Sequence, residues 1–215
     1  MAITSYSELQ TAVSNWLARS DLTARIPEFI TLTEAKFNRT LEVRQMEQRS
    51  TTTVNINSTS PEFISLPTDF QSMRRVCLSS VTGKPTIEYL TPTALYEMRF
   101  GTFADDTGQP AFFTVIGSDM ELLPVPDQNY TIEMVYRKNI PALSDSNTSN
   151  WLLQLAPDAY LYGALLEASI FLQSDERVPL WLQAYNGALD GLTSLNFTSA
   201  YNAGPLSVMP VGPTP

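Results

Sequence analysis

The hydrophobic periodicity of this chain switches twice, from helical to extended and back, and no other feature constrains its fold as much. Near the start, Leu9, Ala12, Val13, Trp16 and Leu17 recur at three- and four-residue steps, the stripe of an amphipathic helix. Ser5-Tyr6-Ser7-Glu8 ahead of them has the spacing of a capping box. A turn is expected at Ser20-Asp21, and Pro27 suits the first turn of a second helix with Ile30, Phe37 and Leu41 along one face.

From Thr51 to Ile56 the chain becomes rich in β-branched residues. Strands are expected at Phe63–Leu66, Val76–Leu78, Phe112–Ile116, Met120–Leu123 and Thr131–Tyr136. Pro, Gly, Asn and Asp punctuate the gaps, Gly117-Ser118-Asp119 reads as a hairpin turn, and a short helix fits Pro92 to Arg99. The spacing predicts a small antiparallel sandwich or barrel-like sheet. After the polar run Ser144–Asn150, helical spacing returns. Leu161, Ala164, Leu165, Ala168 and Leu172 follow Pro157, and Ser174 can cap a last helix carrying Trp181, Leu182, Tyr185, Ala188, Leu189 and Leu192.

The expected fold is therefore α+β. Residues 1–50 and 144–196 supply helices of one bundle, 51–143 a β-rich region, and 197–215 an extended C-terminal arm.

Two details of the C-terminal part point to contacts. Ala184, Gly187, Ala188 and Gly191 put small residues on neighbouring helical turns. A glycine costs roughly 1 kcal/mol relative to alanine inside a helix, so the pair predicts close approach of another backbone, within the subunit or from a second one. From Phe197 to Pro215 there is no charged residue, and Pro205, Pro210, Pro213 and Pro215 forbid regular helix. Leu206, Val208, Met209, Pro210 and Val211 are the candidate anchors of an arm that orders on a partner, because apolar anchors offset the entropy of ordering. The competing reading is a loose terminus.

Charge bounds the partners. Charged residues make up 16% of the 215 positions, against an ordinary share of roughly 25%, which suits surfaces covered by neighbours. The net charge is −9, and residues 151–215 carry one basic side chain, Arg177, against five acidic ones. Tight nucleic-acid binding needs clustered Lys and Arg. A surface past which DNA slides does not.

Chemistry is sparse. With no histidine and one cysteine, the chain has no His-based triad, no Cys-rich zinc site and no internal disulfide. It has no Gly-x-Gly-x-x-Gly or Walker-type loop, so no cofactor is expected. Asp105-Asp106-Thr107-Gly108 contains the Asp-Thr-Gly of aspartic proteases but follows the grammar of a surface turn. Asp119, Glu121, Asp127 and Glu133 could pair for glycoside hydrolysis, yet alternate acids on the solvent face of a strand explain them more simply. An aspartate-based hydrolase using Asp106 or these acids is the remote alternative. Cys77 reads as a small buried hydrophobe on a strand. Tyr89, Tyr96, Phe100, Phe103, Phe112 and Phe113 are assigned to sheet core and subunit contacts. Arg74-Arg75, Arg99 and Arg137-Lys138 are solvated or pair with a neighbouring subunit. No apolar run approaches the ~20 residues of a membrane span, and Met1-Ala2-Ile3-Thr4 lacks the basic start of a secretory signal.

One run carries a resemblance. Pro141-Ala142-Leu143-Ser144-Asp145 leads to Asn150-Trp151-Leu152-Leu153, then Pro157-Asp158, Tyr160 to Ala168, Asp175-Glu176-Arg177, Trp181 and Tyr185. Tyr6-Ser7-Glu8-Leu9, Trp16-Leu17, Arg19 to Leu22 and Leu66-Pro67-Thr68-Asp69-Phe70 add to it. Together they resemble the adaptor proteins of tailed bacteriophages that attach beneath the portal. The resemblance implies a non-enzymatic structural subunit of the virion neck, assembled in the host cytoplasm. It implies a ring, usually of twelve copies, between the portal protein and the tail tube or nozzle protein. Double-stranded DNA would pass through, and the C-terminal arm would run along the portal. Another tail subunit, such as a tube, collar or nozzle protein, is the alternative.

Overall fold

The computed structural model describes residues 2–19, 21–103, 106–172 and 176–200. The chain divides into two compact units, Met1–Gln45 with Ile140–Pro215, and Met46–Asn139.

The first unit is helical. Helix α1 (Tyr6–Leu17) starts at the predicted capping box: the Ser5 hydroxyl accepts from the Glu8 N–H, and the Glu8 carboxylate accepts from the N–H of Ser5 and Thr4. It ends where Ala18 turns left-handed at φ 53°. Leu9, Val13 and Leu17 face inward, as their spacing predicts. Trp16 is instead 43% exposed and stands edge-on to Tyr162, so the stripe is one position narrower than expected.

Helix α2 (Ile26–Thr40) has Pro27 in its first turn and buries Ile30 and Phe37. Helix α4 (Trp151–Leu155) is capped by the Asn150 side chain, which accepts from the Leu153 N–H at 2.8 Å. Helix α5 (Pro157–Leu172) packs on α1 and α2 and buries Ala159, Tyr160, Leu161, Ala164, Leu165 and Ala168. A helix apolar on nearly all sides belongs at the centre. Burying each leucine contributes roughly 1.5–3 kcal/mol.

Helix α6 (Val178–Ala200) packs on α5 through Trp181 and Leu192, while Leu182 points outward. Ser174, the expected cap, lies outside the described residues. Phe197 to Ala200, expected in the extended arm, continue α6. The first proline, Pro205, comes only five residues later, so nothing local stops the helix at Phe197.

The second unit holds the strands. Strand β1 (Glu47–Thr53) and strand β3 (Phe70–Leu78) flank strand β9 (Thr131–Lys138) in an antiparallel sheet. The alternation of β9 turns Ile132, Met134 and Tyr136 inward. A second sheet runs β2 (Phe63–Ser65), β7 (Asp119–Leu123), β6 (Phe112–Ile116), β4 (Glu88–Tyr89). The β6–β7 hairpin closes through Gly117-Ser118, with φ 62° at Gly117 alone, the pattern of a type II′ turn.

One apolar cluster draws on both sheets, including Val76, Leu78, Phe113, Met120, Leu122, Ile132, Met134 and Tyr136. Cys77 is buried on β3, as expected. The expected antiparallel pairing holds for the longer strands, and two short pairs are added to it. β4 runs parallel to β6, and β5 (Thr107–Gly108) runs parallel to β8 (Val125–Pro126). Parallel neighbours need a crossover rather than a tight turn: helix α3 (Pro92–Phe100) lies between β4 and β6, and the β6–β7 hairpin lies between β5 and β8. The cap of α3 is Thr91, whose hydroxyl accepts from the Ala94 N–H.

Candidate interaction surface

Helix α6 has 23 residues and one charged side chain, Asp190. Its inner side is fixed by Trp181, Leu192 and the stack of Tyr185 on Phe37, with ring centroids 6.2 Å apart. Its outer side leaves Leu180, Leu182, Leu195 and Phe197 exposed. These exposed apolar side chains lie on both flanks of a helix with a single charge, which makes α6 the candidate for contact with another protein.

The small residues predicted for packing lie on this helix. Ala184 and Ala188 are half-buried, and Gly187 and Gly191 are exposed. A Cβ built on either glycine meets nothing within 4 Å, so no other backbone of the described chain approaches them. Gly187, Ala188 and Gly191 instead line a groove of about 260 Å³ with Leu155, Ala156, Asp158, Leu192 and Leu195. A second, shallower hollow lies on the other flank, beside Pro179, Leu182, Gln183, Asn186 and Asp190. The glycine that does permit close approach is Gly163 on α5. A Cβ there would overlap the Thr33 methyl and stand 3.3 Å from the Tyr185 ring. Leu206, Val208, Met209, Pro210 and Val211, the predicted arm anchors, lie outside the described residues.

Below this surface sits a buried polar network that the sequence reading missed. The Glu34 carboxylate accepts from the Leu143 N–H at 2.9 Å and from the Tyr160 hydroxyl at 3.1 Å. The Asn150 amide donates to the Tyr160 oxygen and to the Pro141 carbonyl. Burial raises the Glu34 pKa, with the two hydrogen bonds opposing it in part. Burial, then the Glu34 charge, pushes the Tyr160 hydroxyl well above its usual value. The cue was present: Glu34 falls on the stripe Ile30, Phe37, Leu41, where an acid has no business unless it is satisfied inside.

The acids weighed for catalysis are held by other partners. Asp119 accepts from the Ser65 hydroxyl at 3.0 Å, Asp127 from the Tyr130 hydroxyl at 2.7 Å, and Glu133 pairs with Arg49 at 2.6 Å. The Arg49 hydrogen bond lowers the Glu133 pKa.

Glu121 corrects the solvent-face expectation. It is buried and pairs with Arg99 at 2.7 Å, because α3 packs on the neighbouring β6 and its Arg99 reaches the face of β7 that alternation assigned to water. Arg99 is thereby paired within its own chain. Asp105 lies outside the described residues. Asp106 is exposed, and Thr107-Gly108 forms the short β5 pairing rather than a free turn. Among the described residues no group of three or more His, Cys, Asp or Glu is placed to hold a metal ion. No helix among them is long and apolar enough to cross a membrane. Of the six aromatics assigned to sheet core and subunit contacts, only Phe113 is fully in the core. Tyr89, Tyr96 and Phe100 are largely exposed, with Tyr96 and Phe100 tilted together at 5.3 Å.

None of the curated proteins compared with the chain matches it. A family model, described as SU10 adaptor protein, matches residues 4–209 and so runs through both units. A structural role suits a molecule whose notable surface is neutral and apolar. The chain belongs to the SU10 adaptor family of phage head-to-tail adaptor proteins.

Proposed function

We propose that this chain is one copy of a non-enzymatic ring that joins the portal of a tailed phage to its tail tube or nozzle. The family match across residues 4–209 carries the reading. A closed head-to-tail ring, usually of twelve copies in such adaptors, uses two unlike patches per subunit. In this reading one of them is the stretch Ala184, Gly187, Ala188 and Gly191, whose open glycines would accept a neighbour's backbone. The helices of the first unit form the bundle around the channel, and the β unit faces the tail. Leu206, Val208, Met209, Pro210 and Val211 anchor on the portal protein. A net charge of −9 leaves the lumen unattractive to phosphate, so double-stranded DNA passes without being held. The ring sits in the virion neck after assembly in the host cytoplasm.

Mixing the chain with portal rings tests this. Electron microscopy should show an added ring under the portal, and replacing Leu206, Val208 and Met209 by aspartate should abolish its attachment. Full attachment of that variant would remove the arm from the reading, and a virion neck lacking the protein would sink it altogether.

A further inference from the structure

We propose that the open edge of β3 is a docking site for an extended, acidic segment of another protein, which adds to the sheet as a further strand. The site is independent of the adaptor reading, under which the β unit only faces the tail.

Strand β3 ends its sheet on the side away from β9. On that side the Leu78 N–H donates to the Pro85 carbonyl and the Ile87 N–H to the Val76 carbonyl, both at 3.0 Å, so the chain itself covers Val76–Leu78. No strand among the described residues covers Ser72–Arg75 there. A crevice of about 460 Å³ opens beside this stretch, and every residue from Phe70 to Val76 lines it. Successive side chains of a strand point to opposite faces, so a hollow that touches each of them runs along the edge and not over one face. Its far wall is apolar, with Ile87 and Tyr89 from the β4 segment and Phe113 and Val115 from β6. Tyr89 stands 57% exposed. An open edge offers main-chain hydrogen bonds to an added strand, and an apolar wall beside it receives every second side chain.

Charge names the occupant. The chain has a net charge of −9, yet the charged residues lining the crevice are Arg74 and Arg75, with no acid among them. Glu88 alternates away between Ile87 and Tyr89, which both face the crevice. Arg74 reaches Glu47 at 3.5 Å and keeps 54% of its side chain exposed. Arg75 is exposed, and its side chain makes no hydrogen bond or ion pair among the described residues. A second copy is disfavoured on this edge, since two β3 strands side by side would set these arginines against each other. The register shifts of β3 after Phe70 and after Met73 are bulges that discourage indiscriminate pairing as well. Carboxylates on the incoming strand meet the same arginines with charge-assisted hydrogen bonds. The occupant is therefore an extended segment with apolar side chains at every second position and acids between them.

A fluorescently labelled, capped peptide of alternating valine and glutamate is the probe, titrated with the full chain at neutral pH and followed by anisotropy. Saturable binding is expected, with none for the matching valine–lysine peptide. N-methylation of the central amides removes the ladder donors and should weaken binding about tenfold or more. The double variant Arg74→Glu, Arg75→Glu should lose the glutamate peptide and gain the lysine one, an exchange that unfolding cannot produce. Absence of saturable binding overturns the proposal, as does equal binding of the N-methylated peptide or indifference to the charge reversal. Self-association of the wild-type chain that the reversal abolishes would make the occupant a second copy, and would overturn it too. Failure of the adaptor reading looks different, because the peptide would bind while the chain added no ring to portals.

Discussion

The Arg99 guanidinium donates to the Glu121 carboxylate at 2.7 Å and to the Leu122 carbonyl at 3.1 Å, and both side chains are largely withdrawn from water. Removing one partner strands the other's charge out of water. Glu121→Ala should therefore cost about 3–5 kcal/mol, whereas Arg99→Met with Glu121→Leu should return stability to near wild type or above. Cys77 is a buried reporter in the same unit. Its reactivity toward a thiol reagent along a urea titration reads both variants, and a Glu121→Ala midpoint equal to wild type would refute the role given to this pair.

Gly163 and Gly191 should respond to alanine with opposite signs. At Gly163 the new methyl meets Thr33, whose hydroxyl is tied to the Phe29 carbonyl at 2.8 Å and cannot swing aside freely. Overpacking of this kind costs about 1–3 kcal/mol. At Gly191 the methyl enters open space, and helix propensity should give up to ~1 kcal/mol of stabilisation. Trp16, Trp151 and Trp181 all lie in the helical unit, so fluorescence-monitored urea midpoints separate the two outcomes.

Glu34 should impose a pH dependence on the helical unit. Its folded pKa is raised above the usual 4.5 by burial, so the folded state holds the proton more tightly than the unfolded state. Stability from this group is present below that usual value and falls as pH rises through the raised one. Glu34→Gln keeps a carbonyl to accept from Leu143 and Tyr160, and should flatten the decline. Glu34→Ala leaves both donors unsatisfied and should cost about 1–3 kcal/mol at every pH. Thermal melts from pH 4 to 8, followed by tryptophan fluorescence, distinguish these, and identical slopes for wild type and Glu34→Gln would contradict the assignment.

Ala18 closes α1 at φ 53°, a left-handed conformation that glycine adopts without steric cost. Ala18→Gly should stabilise the helical unit by about 0.5–1 kcal/mol, since the relief of strain exceeds the added entropy of the unfolded chain. A lowered urea midpoint would show that the strain is not there.

Much of the architecture was legible from periodicity, because burial imposes it. The capping box at Ser5–Glu8, the turn at Gly117-Ser118 and the alternation in β9 each follow from local geometry acting on neighbouring residues. What failed was any inference that needed to know what lay opposite. Glu121 alternates like a surface acid until Arg99 on α3 reaches it, and Trp16 keeps helical spacing yet stands half in water. The within-subunit contact that requires a missing side chain is at Gly163 on α5, a glycine that no sequence pattern singled out.

The sequence alone thus determined where the main helices and longer strands form, the nearly uncharged character of the last helix, and the shortage of groups for chemistry, since these depend on residue type and spacing. Tertiary structure decided which polar side chains are buried, which glycine is crowded, and that a groove opens beside Gly187 and Gly191. Those are set by contacts between residues far apart in the chain, and no local pattern carries that information.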